Sequence, residues 1–176
     1  MKTASRKLTR YVTAILAVLV VIALLVVPLP QTVRLDTRIV TVASIQRPPA
    51  AVFDYVTTPG HWPVWHPSSL AVTGAVDHPL QIGEQVVEDF LVAGTAREPP
   101  WKWTIAGSIA HRPAGSVTYS LAPTATGTRF ERVFAYRAPS LWFALVNWLV
   151  LRARIQAESD EAVSRLKSVL EGTQQH

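Results

Sequence analysis

Three charged residues lie in apolar, strand-like segments where they could do chemistry. Glu88 and Asp89 stand within residues 84–93, and each has apolar neighbours on its own side of a strand. Arg132 has a phenylalanine two positions away on either side. A carboxylate that points into an apolar cavity has a raised pKa and can exchange protons, whereas a buried guanidinium can anchor a carboxylate or a phosphate. The simpler interpretation is that Arg132 pairs across strands with an acid such as Glu88, or points to solvent at a sheet edge.

Aromatic residues supply most of the candidate binding surface. They fall mainly on strand-like segments with one buried face, so each is either ordinary core or part of the wall of an apolar pocket. We predict a ligand-binding set that contains Arg132 and six aromatic residues: Trp65, Phe90, Trp103, Tyr119, Phe134 and Tyr136. In this set Tyr119, Tyr136 or Arg132 would fix the polar end of the ligand.

Metal, thiol and nucleotide chemistry find no support in the sequence. The absence of cysteine excludes disulfides, thiol catalysis and Cys-ligated zinc. His61 and His66 are five residues apart across a proline-rich turn, and no third ligand is spaced to complete a zinc site. Neither a glycine-rich phosphate loop nor a nucleophile elbow occurs. We therefore expect no metal and no cofactor, and no motif assigns a catalytic residue; the enzymatic alternative uses Glu88 or Asp89 with His66.

The excess of positive charge is concentrated at the N-terminus. The chain of 176 residues has 17 Lys and Arg against 12 Asp and Glu, a formal net charge of +5. Four of the basic residues precede position 11, and no acid precedes Asp36, so the remainder carries only one net positive charge. Nucleic-acid binding requires a basic face on the folded domain. We therefore expect no nucleic-acid partner.

An apolar segment follows these basic residues. Tyr11–Val27 contains 17 residues without a charge and ends at Pro28. As a helix it would be about 26 Å long, at the short end of what spans a hydrocarbon core. We predict a single-pass membrane anchor with a cytoplasmic N-terminus in residues 1–30, and a domain in residues 31–176 on the other side of the membrane. A cleavable signal peptide is the alternative interpretation.

The rest of the chain has the pattern of an α+β domain. Six runs alternate in the manner of strands and are separated by Pro- or Gly-containing turns: residues 31–46, 69–76, 84–93, 101–110, 116–121 and 128–137. A short helix begins near Pro49 and leads into a proline-rich turn that carries Trp62 and Trp65. The short connections predict an antiparallel meander of about six strands.

A long C-terminal helix is predicted after Pro139, because neither Pro nor Gly recurs until Gly172. An apolar stripe at helical spacing would cover the open face of the sheet: Trp148, Leu151, Ile155, Ala162, Leu166 and Val169. Residues 141–151, LWFALVNWLVL, are apolar almost all round. They are either buried by the sheet or lie in a membrane interface, with Trp142 and Trp148 at head-group level and Arg152 and Arg154 near lipid phosphates.

The segment Pro49–Trp65, PAAVFDYVTTPGHWPVW, and the order of elements around it resemble the START-like superfamily. The resemblance is to its polyketide cyclase/dehydrase-type members, often called SRPBCC proteins, and it covers about Val33 to Glu171. It implies a helix-grip fold, in which a curved antiparallel sheet surrounds the C-terminal helix, and a cavity for lipids, sterols or polyketides. The superfamily shares no catalytic motif, so no residue here inherits a catalytic role.

These observations together predict a membrane-anchored binding protein for a hydrophobic small molecule or lipid. Binding is favoured over catalysis. Two alternatives remain open: a cyclase/dehydrase-type enzyme with acid–base residues in the cavity, and an interaction module whose cavity is filled by its own side chains. The sequence does not predict an oligomeric state.

Overall fold

An antiparallel sheet is the largest element of this computed structural model, which describes residues 2–30, 32–88, 91–109 and 112–172. The described residues contribute seven strands: β1 (Asp36–Ile45), β2 (Thr73–Gly74), β3 (Gln85–Val87), β4 (Leu91–Glu98), β5 (Lys102–Ile109), β6 (Arg112–Thr124) and β7 (Gly127–Arg137). Their order across the sheet is β1-β7-β6-β5-β4-β3-β2, and all neighbours are antiparallel. The first and last strands are therefore paired, and β7 lies inside the sheet.

Five α-helices accompany the strands in the described part of the chain: α1 (Lys2–Val26), α2 (Pro49–Thr57), α3 (Trp62–Trp65), α4 (Leu141–Val146) and α5 (Arg152–Gly172). A 3-10 turn, Pro59–His61, precedes α3, and a π-helical turn, Asn147–Leu151, separates α4 from α5. The chain forms two compact units. We call the first the helical unit: the chain up to Leu35 together with Ala138–Leu151. The second, the sheet unit, contains Asp36–Arg137 and the chain from Arg152 onward.

The core of the sheet unit lies between one face of the sheet and the helices α2, α3 and α5. Pro49 occupies the first turn of α2, where its missing N–H costs no hydrogen bond, and α2 buries Val52, Phe53 and Val56. Helix α5 buries four side chains against the same core: Ala162, Val163, Leu166 and Leu170. The predicted α+β class, with a large antiparallel sheet and a long C-terminal helix, is confirmed.

The predicted sheet of about six strands is corrected to seven in the described residues. The run predicted as one strand over residues 84–93 contributes to two strands, β3 and β4, which pair with Val87 opposite Leu91. Strand β4 then continues to Glu98, through residues predicted as a turn. Alternating polarity identifies extended backbone but does not locate a reversal that lacks Gly or Pro.

The predicted single C-terminal helix is interrupted, and its stripe is only partly correct. Ala162 and Leu166 are buried as predicted, whereas Trp148 is 75% exposed. The π-helical turn inserts extra backbone between α4 and α5, so an apolar stripe with a constant helical period does not continue through it. The interpretation that residues 141–151 are buried by the sheet is also wrong, because only Asn147 among them is buried.

The predicted membrane anchor over residues 11–27 is not supported. Helix α1 forms and includes these residues up to Val26. However, within the described residues no helix combines the length and the apolar character that a membrane crossing requires. The uncharged segment is 17 residues long, somewhat short of the roughly 20 that a hydrocarbon core takes, and the preceding turns carry four basic residues.

Candidate ligand-binding site

Strand β7 places Arg132 inside the sheet, one strand away from its β1 edge. Arg132 lies opposite Thr41 of β1 on one side and opposite Tyr119 of β6 on the other. Because side chains alternate along a strand, Phe130, Arg132 and Phe134 share one face. Arg132 is only 6% exposed. The interpretation that this side chain points to solvent is therefore wrong.

The guanidinium of Arg132 joins residues from three parts of the sheet unit. Its Nη1 donates to Ser159 Oγ of α5 at 2.8 Å, and its Nη2 donates to His66 Nε2, just after α3, at 3.0 Å. The same guanidinium interacts with the hydroxyl of Tyr119. We call these four residues the Arg132 cluster. A guanidinium has only donors, so His66 Nε2 is the acceptor and the proton of this neutral ring lies on Nδ1.

A relay of hydroxyl groups continues from Arg132 to a carboxylate. Ser159 Oγ lies 2.8 Å from Thr41 Oγ1, and Thr41 donates to Asp160 Oδ1 at 2.8 Å. Since Thr41 has a single hydroxyl proton, Ser159 donates to Thr41 while accepting from Arg132. All bonds in the relay point the same way, from the cation to the anion, and such chains strengthen each other. The relay fixes the guanidinium from the side of α5.

Burial and the neighbouring cation set the protonation states of the cluster. The pKa of His66 is lowered from 6.5 to about 3, first by burial and second by the positive charge of Arg132. The pKa of Tyr119 is raised, mainly because its hydroxyl is buried, although Arg132 opposes that effect. Both side chains are therefore neutral at physiological pH, and Arg132 is the cation of the cluster.

Several buried polar atoms around the cluster have no hydrogen-bonding partner in the described part of the protein. They are Trp65 Nε1, His66 Nδ1, Ser69 Oγ and Arg132 Nε; a further one, Arg97 Nε, lies elsewhere on the sheet. An unpaired buried polar group costs roughly 1–3 kcal/mol, and native proteins rarely leave it so. Three of the four atoms near the cluster are the nitrogens of N–H donors, and the fourth is the hydroxyl oxygen of Ser69. These groups can therefore donate hydrogen bonds to oxygen atoms of a bound molecule or of water.

The predicted aromatic residues divide into two groups. Trp65, Trp103 and Tyr119 are buried and pack on one another, with the Tyr119 ring centroid 5.5 Å from that of Trp103 and 6.2 Å from that of Trp65. Phe134 and Tyr136 form a second pair, with ring centroids 5.1 Å apart. The Arg132 guanidinium lies 6.0 Å from the Phe134 ring centroid, which links the two groups.

The other predicted residues contribute less to this geometry. Phe90 and Asp89 lie outside the described residues. Glu88 is half-buried just after β3, and its negative charge helps to raise the pKa of Tyr119. His61 lies apart from the cluster, where its ring stacks on Tyr55 at 4.2 Å and its Nδ1 lies 3.1 Å from the Tyr55 carbonyl oxygen.

Sequence reasoning missed Ser159, Thr41 and Ser69. Ser159 has a recognisable signal, because it falls three residues before Ala162 on the buried stripe of α5. A hydroxyl on an apolar stripe needs a hydrogen-bonding partner, and Arg132 is that partner. Thr41 and Ser69 carry no comparable signal, since both are short polar residues in ordinary positions of a strand and a loop.

Residues 36–171 match the sequence profile of a protein family described as polyketide cyclase / dehydrase and lipid transport. The chain belongs to this family. The match covers the sheet unit almost completely, and with it the Arg132 cluster. It confirms the resemblance to the polyketide cyclase/dehydrase type that Pro49–Trp65 indicates. None of the curated proteins matches the chain significantly.

Solved structures of low sequence identity share the fold. Protein MLL2253 from Mesorhizobium loti has a TM-score of 0.60 and 19% identity, over 78% of this chain and 98% of its own. CalU16 from Micromonospora echinospora has a TM-score of 0.54 and 17% identity, over 78% of this chain and 74% of its own. DynU16, a protein of the dynemicin biosynthetic locus, has a TM-score of 0.56 and 18% identity, over 76% of this chain and 47% of its own.

Proposed function

We propose that the sheet unit binds a hydrophobic small molecule or lipid whose polar end carries oxygen acceptors, and that the Arg132 cluster holds this end. One observation carries the proposal. Buried donors at Trp65 Nε1, His66 Nδ1 and Arg132 Nε have no acceptor within the described protein. A bound carbonyl, carboxylate or phosphate oxygen would supply what they lack.

The energetics of Arg132 support a binding role over a purely structural one. A buried ion that only stabilises the fold gains little, because apolar residues of similar volume often serve as well or better. Arg132 is nevertheless buried, held by Ser159 and His66, and incompletely hydrogen-bonded. A guanidinium fixed in this way is preorganised for an oxygen ligand, so binding does not require it to be ordered again.

The aromatic residues around the cluster suit the apolar part of the ligand. The predicted set of Trp65, Trp103, Tyr119, Phe134 and Tyr136 combines large apolar surfaces with a few polar tips, as ligand pockets do. Tyr119 lies opposite Arg132 on β6, the Phe134 ring centroid lies 6.0 Å from the guanidinium, and Trp65 and Trp103 pack on Tyr119. The description of the family, which includes lipid transport, agrees with a ligand of this kind.

Proton transfer by His66 is disfavoured. Its Nε2 lone pair already accepts from Arg132, and its pKa of about 3 leaves it without basicity at neutral pH. A general base works best with a pKa near the operating pH. A cyclase/dehydrase-type reaction would therefore depend on other groups, and binding is the function that the geometry of the cluster favours.

Native mass spectrometry of the full chain tests this proposal. The purified chain is incubated with a bacterial total lipid extract and compared with Arg132→Met and with Arg129→Met. Arg129 is the matched control, since it lies on the same strand but is exposed and pairs with Glu131. We expect the wild type and R129M to carry an added mass that disappears on denaturation, and R132M to lose it.

Two outcomes would overturn the proposal: an unliganded wild type across the lipid classes of the extract, or an equal adduct on R132M. Circular dichroism checks that R132M is folded. If R132M does not fold, Ser159→Ala takes its place, since it keeps the guanidinium but removes one group that orients it. An undiminished adduct on folded S159A would count against the role of the cluster in binding.

A further inference from the structure

The helical unit exposes most of the large apolar side chains that the described residues leave uncovered. Of 27 such side chains with high exposure, 20 belong to this unit. Six of them lie in residues 141–151, which we call the tryptophan segment: Leu141, Trp142, Leu145, Trp148, Leu149 and Val150. Trp148 is 75% exposed and Leu149 59%. Contiguous exposed apolar surface of this kind marks an interaction site.

The tryptophan segment belongs to the same unit as α1 through backbone hydrogen bonds. The Leu29 N–H donates to the Pro139 carbonyl at 2.8 Å, and the Ala138 N–H donates to the Leu35 carbonyl at 3.0 Å. Ser140 then caps α4 by accepting from the Phe143 N–H at 3.2 Å. The segment is therefore held beside the chain that follows α1.

Charge distinguishes the helical unit from the sheet unit. The helical unit contains no acidic residue and five basic ones: Lys2, Arg6, Lys7, Arg10 and Arg34. The sheet unit contains twelve basic and twelve acidic residues, so the whole net charge of +5 lies in the helical unit. If a second copy of the chain bound here through its own helical unit, the positive charge of one copy would repel that of the other. An anionic bilayer surface complements both the charge and the apolar side chains.

We propose that the tryptophan segment docks into the head-group region of an anionic lipid bilayer. Trp142 and Trp148 stand near its two ends, and tryptophan prefers the boundary between head groups and hydrocarbon. Leu145, Leu149 and Val150 contribute apolar area between and beside them. This proposal is independent of ligand binding at the Arg132 cluster.

Fluorescence quenching by brominated lipids tests the proposal in the full chain. The vesicles contain phosphatidylcholine with about 30% phosphatidylglycerol, which gives an anionic surface. Trp62, Trp65 and Trp103 are buried, so exposed tryptophans should dominate the quenching. We expect the double variant Trp142→Phe/Trp148→Phe to lose at least about two thirds of the quenching. Trp101→Phe is the matched control, because Trp101 is 48% exposed but lies in the sheet unit, and it should retain the quenching.

Undiminished quenching in the double variant would overturn the proposal, as would equal quenching of the wild type by brominated vesicles of pure phosphatidylcholine. Because this readout reports on the segment alone, vesicle binding by α1 does not obscure it. Light scattering tests the other occupant, a second copy of the chain. A dimer without lipid that Trp148→Asp converts to a monomer would assign the surface to self-association and overturn the lipid proposal.

Discussion

A single arginine determines what the sheet unit can do chemically. The neighbours of Arg132 on β6 and β1, Tyr119 and Thr41, follow from the register of the strands. Its hydrogen-bonding partners, His66 and Ser159, come from segments outside the sheet. The result is a buried cation with neutral partners and several donors around it that have no acceptor among the described residues. At the scale of single residues, these features support the proposal that the site binds oxygen atoms, and they disfavour proton transfer by His66.

Removal of the Ser159 hydroxyl tests how much the relay stabilises the protein. Ser159→Ala leaves Arg132 Nη1 without this acceptor, so we expect the free energy of unfolding to fall by about 1–3 kcal/mol. Ser168→Ala is the matched control on the same helix. Ser168 is exposed, and among the described residues its hydroxyl bonds to the carbonyl of Ser164 alone, so its loss should cost less than about 0.5 kcal/mol. Urea unfolding measures both, and equal effects would contradict the assigned role of Ser159.

His66 gives the protein a predictable response to acid. Its pKa is lowered from 6.5 to about 3 in the folded state, so the unfolded state takes up a proton first. The contribution of His66 to stability is therefore complete above pH 6.5 and is lost as the pH falls towards 3. We expect His66→Asn to reduce the slope of stability against pH in this interval, as measured by urea unfolding at a series of pH values.

His78 provides a control of opposite sign. Its pKa is raised by hydrogen bonds to Asp77 and then to Glu84, so its contribution is present at low pH and is lost as the pH rises through the folded-state pKa. His78→Asn should therefore lower stability mainly in acid. An acid slope that is unchanged in H66N would show that His66 is not buried as a neutral ring.

At the scale of elements, the hairpin between β6 and β7 fixes the position of Arg132. Thr124 pairs with Gly127, and the register then continues to Tyr119 opposite Arg132. Gly127 has a φ of +154°, and a Cβ atom there would collide with the carbonyl oxygen of Ile45. Glycine is required at this position because it has no Cβ. Helix α5 then places Ser159 within hydrogen-bonding distance of the Arg132 guanidinium.

Substitution of Gly127 should disturb this hairpin. We expect Gly127→Ala to lower the free energy of unfolding by about 2 kcal/mol or more, because the backbone of β1 must move to admit the methyl group. Gly172→Ala is the control, since apart from its own helix backbone and chain neighbours no described atom lies within 4 Å of a Cβ at that position. Thermal unfolding compares the two. A G127A variant as stable as G172A would mean that the hairpin adapts without strain.

At the scale of the whole molecule, the net charge is divided unevenly between the two units, which the overall composition does not reveal. The isoelectric point near 10 belongs to the chain as a whole, whereas the sheet unit has as many acidic as basic residues. The excess lies in the helical unit, mainly in residues 2–10. The apparent similarity to a nucleic-acid-binding protein is thus a property of one short basic segment.

Ion-exchange chromatography can separate these contributions. The variant Lys2→Gln/Arg6→Gln/Lys7→Gln/Arg10→Gln should lose most of its retention on a cation exchanger at pH 7, because its basic cluster is gone. The control, Arg152→Gln/Arg154→Gln/Arg165→Gln/Lys167→Gln, removes the same amount of charge from a helix that also carries four acids. It should elute later than the first variant. Identical elution would indicate that net charge alone governs retention.

Local pattern predicts much of this protein. Alternating polarity in residues 101–109 and 128–137 predicts strands, and the segment from Pro49 to Trp65 predicts both a short helix and the family. The pattern failed where an element changes course without Gly or Pro. The boundary between β3 and β4 and the π-helical turn at Asn147–Leu151 are examples. In both cases the pattern of polar and apolar residues continues, whereas the regular strand or α-helix is interrupted.

The sequence by itself determined most of the strands and the concentration of charge at the N-terminus, and it identified Arg132 as a candidate for binding a carboxylate or a phosphate. Each of these depends on residues close together in the chain. Only the tertiary structure decided that Arg132 is buried and that His66 and Ser159, 66 and 27 residues away, are its partners. Strand register and the docking of α5 bring these groups together, and neither leaves a local pattern. Burial then lowers the pKa of His66, so the tertiary structure also decided that this ring is neutral at physiological pH and accepts a hydrogen bond from Arg132.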